Sequence, residues 1–598
     1  MIPLLFLFLW PCAAADTDAE KIQPRRETIV VTGSFEPVPL EEADRSVDRL
    51  DVEGHPLLLR NIAEVLRLIP SVDLRERAPG GVQADVSIRG GTFGQTLVLL
   101  DGLRMNDIQS AHHNMDVPVP LESVAAVEVL RGSGSALYGS DAVGGVVNIV
   151  TRKPKAGEVR LRAGLGNFGM NAQSISIAAV KGRIAQHLAA SRDFSSGFLP
   201  NRDYRSLSLA SRSYLESAWG SSTVLLVHGD RPFGAQNFYG NFPSWERTKT
   251  WFAALRQDFG ARTEASFAFR RHTDLFVLYR GRPQVFTNRH TVESYQGALR
   301  RREEAGRNTQ IHFGAEVLGD TITSNNLGHH QRARGAAYAA LDVRAVRRFS
   351  FSLAAREEIY GPLRSQFSPT AAAGAWLSQR IKLRASASRA FRLPSYTDLY
   401  YHDPANLGSP DLRPETAWSY DAGADWNAGG KLSGEVTVFH RRETDGIDYV
   451  RSTPAELWRA TNIQRLNFTG AEVAVIAGLG GSQRLDFRYT GLRGAQKALA
   501  GLESRYVFQY PVHAGVVLWE SSLPGGLVGR VRLGAIQRYA SDPYAVLDVS
   551  VARTLGRVRP FLQFANLADA GYEEIRGVPM PGRAVMGGVA VILFGGGK

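Results

Sequence analysis

The sequence predicts a transmembrane barrel of about 22 antiparallel strands that follows a smaller N-terminal α+β domain. From about Val159 onwards apolar and polar residues alternate, as in Val159–Ala163 and Leu547–Val551. This period of two gives each strand one apolar and one polar face. At roughly 20 residues for a strand and its turn, residues 155–598 allow about 22 strands. The preceding region lacks this alternation and is rich in glycine.

Composition excludes several other classes of protein. The 598 residues contain 44% hydrophobic residues, and the mean hydropathy of −0.17 does not suit a helical membrane protein. A single cysteine excludes a disulfide-stapled scaffold and a cysteine zinc site. The net charge of +12 comes mostly from arginines spread through the alternating strands. We therefore expect lipopolysaccharide phosphates or an anionic ligand as partners, and no nucleic acid.

Residues 1–15 are predicted to be a signal peptide. Leu4–Trp10 is a short apolar core, and Ala13–Ala15 is a cleavage site of the A-x-A type. The segment before the core has no Lys or Arg, which a misplaced start codon would explain. Lipidation of Cys12 is an alternative that the preceding proline fits poorly. Residues 16–33 then form a predicted periplasmic leader.

A β-prone segment ends this leader. Such a short segment in a flexible leader can add itself as an edge strand to the sheet of another protein. The alternative is that it is only the first strand of the domain that follows. The segment comprises Glu27, Thr28, Ile29, Val30, Val31, Thr32 and Gly33.

Residues 34–153 are predicted to be a small α+β domain. Asn61–Ile69 reads as a helix with Asn61 as its cap, and Leu121–Val127 as a second short helix. Asp101 and Gly102 follow an apolar run and predict a tight hairpin. The glycines between 132 and 139 have the spacing of a phosphate loop, but no Lys-Ser/Thr pair follows them, which argues against nucleotide binding.

Four blocks of this domain resemble the plug domain of TonB-dependent outer-membrane receptors: Ser87–Gly90, Val98–Gly102, Val127–Gly132 and Tyr138–Ile149. The resemblance continues into the barrel region, where it is closest to the smaller siderophore and cobalamin receptors. The barrel segments that carry it are Phe391–Tyr400, Leu412–Thr416, Gly470–Glu472 and Asn566–Asp569, with Tyr572.

This resemblance implies a plug that fills a 22-stranded barrel in the outer membrane of a Gram-negative-type bacterium. It places the TonB box at residues 27–33, where TonB and its inner-membrane energising complex would pull. The implied protein is a monomer, is not an enzyme and needs no cofactor. The expected ligand is a scarce metal chelate, a ferric siderophore first, with cobalamin or haem as alternatives. A passive porin-like barrel is the alternative from a different class.

Two arginines of the plug are expected to meet the barrel wall. Arg89 and Arg131 each follow a strand and precede a glycine. A buried guanidinium needs a carboxylate partner. In similar receptors the matching arginines pair with barrel glutamates, which correspond to Glu415 and Glu472 here. The sequence thus predicts a plug–wall latch of these four residues.

Ligand contacts are expected on the outer loops, which we place at His228–Lys249, His272–Thr291, Pro394–Thr416 and Glu443–Gln464. Aromatic and arginine side chains mix there, which suits an anionic, partly aromatic ligand. The alternative is that the aromatic residues form the interfacial girdle and the arginines meet lipid phosphates. His112 and His113 are candidates for a ligand or metal contact at the plug apex, or else belong to a solvated loop. No resident metal site and no catalytic set is assigned. The candidate ligand-binding residues are His112, His113, Phe238, Tyr239, Trp245, Arg247 and Arg280.

Overall fold

The computed structural model describes residues 29–30, 38–346, 348–362, 364–429, 431–495 and 501–595. The predicted signal peptide lies outside these residues, as does the predicted TonB box except for Ile29 and Val30. No helix in these ranges is long and apolar enough to cross a bilayer.

The plug consists of short strands and two short helices. Its strands are β1 (Ile29–Val30), β2 (Val38–Pro39), β3 (Val47–Asp51), β4 (Val72–Glu76), β5 (Ala84–Ile88), β6 (Thr96–Leu100), β7 (Leu103–Arg104), β8 (Val124–Arg131) and β9 (Gly145–Thr151), and its helices are α1 (Ile62–Leu66) and α2 (Ser135–Tyr138).

The central plug sheet has the strand order β3-β8-β9-β6-β7, and β4 and β5 form a separate antiparallel pair. The predicted hairpin at Asp101 and Gly102 is confirmed, because it joins β6 to β7. Both residues have positive φ, 51° and 81°, as a type I′ turn requires. The Asp101 carboxylate accepts a hydrogen bond from the Thr151 backbone N–H at 2.8 Å and so ties the turn to β9.

The two predicted helices had different outcomes. Asn61 does cap α1, because its side chain accepts from the Glu64 N–H at 3.0 Å, but the α-helix ends at Leu66 rather than at Ile69. The second helix is wrong: only Leu121–Ser123 is a 3₁₀ turn, and β8 begins at Val124. The β-branched residues of β8 favour a strand, and pairing on both sides with β3 and β9 satisfies its backbone.

The second part of the chain forms the barrel and a few short strands in its loops. The first thirteen strands are β10 (Glu158–Gly166), β11 (Asn171–Lys181), β12 (Ile184–Ser195), β13 (Tyr204–Ser217), β14 (Gly220–Gln236), β15 (Pro243–Phe259), β16 (Thr263–Val277), β17 (Thr287–Gly306), β18 (Thr309–Ser324), β19 (Gly328–Val346), β20 (Phe349–Tyr360), β21 (Arg364–Ser378) and β22 (Ile381–Arg392).

The remaining elements include a third short helix, α3 (Tyr396–Tyr400). They continue with β23 (Asn406–Leu407), β24 (Glu415–Asn427), β25 (Leu432–Thr444), β26 (Gly446–Arg451), β27 (Trp458–Ile463), β28 (Leu466–Gly480), β29 (Gln483–Ala495), β30 (Glu503–Ser504), β31 (Pro511–Leu523), β32 (Leu527–Arg538), β33 (Tyr544–Arg553), β34 (Val558–Ala565), β35 (Glu573–Ile575), β36 (Val578–Pro579) and β37 (Ala584–Phe594).

The predicted barrel is confirmed as a closed sheet of 22 strands, in which each strand pairs with its neighbours in the chain and β37 pairs with β10. Closure leaves no open edge, which a sheet in lipid requires. Connections alternate between short turns at one rim and longer loops at the other. By the usual arrangement of such barrels, the long-loop rim faces the outside, and we call it the outer rim.

Two of the four predicted outer loops are mostly strand. β14 and β15 cover most of His228–Lys249, and β16 and β17 cover most of His272–Thr291. Alternation is weak in the sequence there because the inward side chains meet the plug and are not uniformly polar. The other two predicted loops are confirmed as mostly outside the barrel strands. Their short strands β23, β26 and β27 form one four-stranded sheet with β30, which belongs to the loop between β29 and β31.

Alternation along the barrel strands follows the prediction. On β20, Ser350 is buried inside whereas Phe351 and Leu353 are exposed on the outer surface. On β22, Lys382 and Arg384 are buried inside and Ile381 and Leu383 are exposed. An apolar outer face and a polar inner face are what a barrel in lipid needs.

The plug lies inside the barrel, as the fold prediction requires. Its apolar residues Val98, Leu100 and Val127 share one buried cluster with Leu225 and Phe252 of the wall. Charged residues make the other plug–wall contacts, and these contacts define the candidate site.

Candidate functional site

Two arginines and two carboxylates form a buried charged contact between plug and wall, and we call Arg89, Arg131, Asp421 and Glu472 the latch. The Arg89 Nε and Nη2 atoms donate to both carboxylate oxygens of Glu472, at 2.7 and 2.8 Å. Its remaining Nη1 pairs with Asp421. All three side chains are buried. Such a bidentate pair is the strongest form of arginine–carboxylate contact.

The second arginine of the latch shares the same glutamate. Arg131 donates to Glu472 at 2.7 Å and to Glu435 at 2.6 Å. Its Nε lies 3.0 Å from Asp48 of the plug. Glu472 therefore binds both arginines, and its loss would leave two buried guanidinium groups short of a partner.

The prediction that Glu415 belongs to this contact is wrong. Glu415 pairs with Arg392 of the neighbouring strand β22, and its link to the plug is a 3.2 Å hydrogen bond from the Gln95 amide. The reason is the barrel register, in which Arg392 lies directly opposite Glu415. Asp421, which sequence reasoning missed, takes the expected place. It lies on the inward face of β24, so a count of alternate residues from Glu415 places it on the inner side of the wall but does not tell that it meets Arg89.

Local backbone geometry aims Arg89 at the wall. Arg89 follows the end of β5 with a positive φ of 51°, and Gly90 continues the turn at 74°. A side chain on Gly90 would meet Leu492 and Phe468 of the barrel, so the glycine permits close approach. Arg131 is the last residue of β8, and its N–H donates to the Ser46 carbonyl.

The plug apex carries an aromatic and cationic surface under the outer loops. The ring of His112 stacks on Phe93 with centroids 4.1 Å apart, and Tyr506 meets Phe93 edge-on at 5.2 Å. The Arg505 guanidinium lies 5.5 Å from the Tyr506 ring, and Arg77 lies 5.6 Å from the Tyr239 ring. Except for His112 and Tyr239, sequence reasoning missed these residues, because loop composition alone does not tell which loops fold inwards.

His112 is held in place by Asp85 of β5. The His112 Nδ1 atom lies 2.8 Å from the Asp85 carboxylate. Burial alone would raise the pKa of Asp85, but the adjacent Arg77 guanidinium and the His112 ring hold it well below its usual range. Asp85 therefore stays ionised and fixes the histidine ring against Phe93.

The structure brings Phe238 and Tyr239 to the plug. Tyr239 shares hydrogen bonds with Gln83 of the plug and with Glu246 of β15, at 2.7 and 2.9 Å. Phe238 is buried beside Phe233 and Ala235, with the Arg202 guanidinium 4.7 Å from its ring. Both residues therefore support the loop from within.

The structure separates the other three ligand candidates from the plug apex. Trp245 and Arg247 alternate with the inward Glu246, so they lie on the outer face of β15. Arg247 pairs there with Asp230. Arg280 is half exposed at the outer rim and pairs with Asp203 of another loop. For Trp245 and Arg247 this outward placement agrees with the girdle and lipid-phosphate alternative.

A second charged cluster surrounds His113, which also lies at the plug apex. We call it the apex cluster; it comprises His113, Asp116, Glu246, His272 and Asp274, all of them buried. Burial alone would lower the pKa of His113, but the carboxylates of Asp274, Asp116 and Glu246 outweigh burial and hold the pKa well above its usual value. His113 is thus not in a solvated loop.

The described part of the predicted TonB box is an edge strand. Ile29 and Val30 pair antiparallel with Pro39 and Val38. Binding of this segment to TonB remains a prediction.

The sequence matches two family descriptions. Residues 42–146 match the TonB-dependent Receptor Plug Domain, and residues 182–572 match the description "TonB dependent receptor-like, beta-barrel". The second match alone spans more than half of the chain.

Curated relatives and solved structures agree with these matches. An iron-regulated outer membrane virulence protein of Vibrio cholerae is 26% identical over 563 residues, covering 84% of this chain and 83% of the relative. A vitamin B12 transporter of Photobacterium profundum is 23% identical, with 69% and 70% covered.

Among solved structures, the siderophore receptor PirA of Acinetobacter baumannii superposes with a TM-score of 0.74 at 15% identity, covering 92% of this chain and 98% of that one. The ferric enterobactin receptor PfeA of Pseudomonas aeruginosa gives 0.76 at 14% identity, with 95% and 100% covered. At these identities the structures speak for the fold alone.

Proposed function

This chain belongs to the TonB-dependent receptors of the outer membrane, and on that premise we propose that its cargo is a ferric siderophore. Energy for uptake comes through TonB, and the chain itself hydrolyses nothing. The iron-regulated relative supports this cargo, although the vitamin B12 transporter is also similar.

The observation that carries the proposal is the surface at the plug apex. Phe93, His112 and Tyr506 offer aromatic faces, and Arg505 offers positive charge next to them, whereas the buried Arg77 pairs with Asp85. Ferric complexes of aromatic chelators are large and anionic. Stacking and guanidinium contacts are the interactions that bind such ligands.

Uptake would follow from the position of this surface. A ligand that binds the apex contacts His112, which is bonded to Asp85 at the edge of the β4–β5 pair. Residues 27–33 precede the plug in the sequence, and TonB would bind them by strand addition. Pulling would then release the plug from the wall contacts at Arg89 and Arg131.

Uptake of radiolabelled ligands tests the proposal, with the label on the iron of the chelates and haem and on the cobalt of cobalamin. Cells that lack their own siderophore receptors would express this chain and receive ferric catecholates, ferric hydroxamates, haem and cobalamin separately. We expect uptake of a ferric siderophore only, with a large loss in Arg505→Ala and Tyr506→Ala. The control is Arg271→Ala, which removes an arginine from the outer face of the barrel. Uptake of haem or cobalamin alone would refute the siderophore assignment.

Deletion of residues 27–33 tests energy coupling separately. The deleted protein should still bind the ligand at the cell surface but should not import it, because TonB has no strand to pair with. A passive porin-like barrel would import equally well with and without these residues. Import that is unchanged by the deletion would therefore contradict the predicted TonB box.

A further inference from the structure

The apex cluster has no role in the proposed uptake mechanism. Its potential metal-binding atoms lie close together on three side chains. The His113 Nδ1 atom lies 3.7 Å from Asp116 Oδ2, and the His272 Nε2 atom lies 3.3 Å from the same oxygen. The two rings are 5.2 Å apart between centroids. These three donor atoms all lie within 4.8 Å of one another.

The 3.3 Å spacing is a long hydrogen bond and the 3.7 Å spacing lies beyond hydrogen-bond range, and both are close to the separation of two ligands that share a cation. Donors at about 2.0–2.1 Å from a tetrahedral zinc ion lie about 3.3–3.5 Å from each other. The His113 Nδ1 atom is buried and has no hydrogen-bond partner among the described residues. This unpartnered polar atom lies on the same side as Asp116 Oδ2 and His272 Nε2, within 4.8 Å of both.

From this geometry we propose that His113 Nδ1, His272 Nε2 and Asp116 Oδ2 bind a divalent cation of the zinc class between the plug apex and the barrel wall. Two imidazoles and one carboxylate are a donor set that zinc prefers, with a fourth position left for water or a ligand. The site does not depend on the identity of the transported chelate.

The surrounding residues complete the site in the way metal sites usually do. The other ring nitrogen of His113 lies 3.4 Å from Glu246 and 3.6 Å from Asp274. A carboxylate on the far side of a metal-bound imidazole fixes its tautomer and strengthens it as a ligand. Tyr239 in turn donates to Glu246 at 2.9 Å.

Two further contacts hold the carboxylates in place. Gln109 donates to Asp274 at 2.8 Å. Arg231 donates to the Oδ1 atom of Asp116 at 3.2 Å and leaves Oδ2 for the cation. The ligand set therefore has supporting contacts from both the plug and the wall.

Charge balance points the same way. Four buried carboxylates face this space: Asp107, Asp116, Glu246 and Asp274. Arg231 and Arg270 supply two positive charges on the same side. This excess of carboxylates over guanidinium groups can be met by one divalent cation or by protonated histidines, and an experiment can distinguish these occupants.

Zinc binding by the full-length protein in detergent tests the proposal. The protein would be stripped with a chelator, titrated with Zn²⁺ alone, and examined with Co²⁺ as a spectroscopic reporter of tetrahedral coordination. We expect one equivalent of zinc per chain and at least a tenfold weaker affinity in His113→Gln and His272→Gln. Glu246→Gln should weaken binding by about 10–100-fold, because it supports a ligand without contacting the ion.

The matched control is His187→Gln, which changes a buried histidine of β12 that belongs to neither donor group. Heat-modifiable gel migration checks that each variant is folded. Equal zinc binding by the wild type and His113→Gln would overturn the proposal and leave protonated histidines as the occupants. Binding that survives His272→Gln but is lost in Asp274→Asn would also overturn it, because the ion would then lie on the other side of His113.

Discussion

The latch and the apex cluster are both buried contacts between plug and wall, yet they differ in how fully their charges are paired. In the latch, Arg89 and Glu472 meet through two hydrogen bonds of 2.7 and 2.8 Å. In the apex cluster, His113 stays 3.4 Å or more from every carboxylate around it. The comparison shows that a direct, bidentate ion pair joins plug and wall at the latch, whereas in the apex cluster the histidine and the carboxylates around it are in looser contact.

The side chains explain this difference. A guanidinium has five donors in one plane and fills the space between two carboxylates by itself. An imidazole presents one donor or acceptor on each side and cannot span the same gap. Arginine at 89 and 131 therefore pairs fully with its carboxylates, whereas histidine at 113 and 272 leaves its carboxylate neighbours less closely paired.

Glu472→Ala should have the largest effect on the comparison. It removes the carboxylate that binds both latch arginines, and loss of one partner from a buried ion pair costs about 3–5 kcal/mol. Hydrogen exchange of β5 and β8 should speed up accordingly, while exchange in the loop around His113 stays closer to the wild type. Uniform loosening of both regions would show that the two clusters are not independent.

Asp421→Asn should have a smaller effect, because Arg89 keeps both of its bonds to Glu472. Loss of one charge-assisted hydrogen bond costs about 1.5–3 kcal/mol. The same exchange experiment measures it, and the double variant with Glu472→Ala should be clearly non-additive, since both residues bind Arg89. Additive effects would mean that Asp421 does not belong to the latch.

Tyr239→Phe tests the apex side of the comparison. The change removes a hydroxyl that bonds with Gln83 and Glu246, and a neutral hydrogen bond contributes about 0.5–1.5 kcal/mol. Exchange in residues 107–116 should increase slightly, and exchange of β5 and β8 should not change. An increase in hydrogen exchange as large as that of Glu472→Ala would contradict the expectation that the latch holds the plug more strongly than the Tyr239 hydroxyl does.

Glu293→Gln should have the smallest effect and serves as the control for charge removal. Its partner Arg271 is half exposed on the outer face of the barrel. Pairs of this kind contribute about 0.2–1 kcal/mol. The temperature of thermal unfolding in detergent should be close to that of the wild type. A change in the hydrogen exchange of the plug would mean that removing a charge affects the plug even when that charge lies on the exposed outer face of the barrel.

The sequence predicted the barrel well because its signal is local and repeated. Alternation such as that of Ser350–Leu353 shows directly which residues face lipid. The latch was predicted in part, because Arg89, Arg131 and Glu472 were found through the family resemblance. The contact of Asp421 with Arg89 depends on the position of the plug relative to the barrel strands. No local pattern encodes that long-range placement.

The apex residues were the hardest to predict for the same reason. His113 and His272 are far apart in the chain and meet only because the plug enters the barrel. Loop composition predicted Trp245 and Arg247 as ligand contacts. Each is next to the inward-facing Glu246 in the strand, so both lie on the outer face instead. Assigning each residue of β15 to an inner or outer face before choosing candidates would have avoided that error.

The small sheet of β23, β27, β26 and β30 joins three loops of the outer rim by backbone hydrogen bonds. None of the three loops can therefore move far from the others without breaking backbone pairing. One engineered crosslink across this small sheet would oppose such a separation.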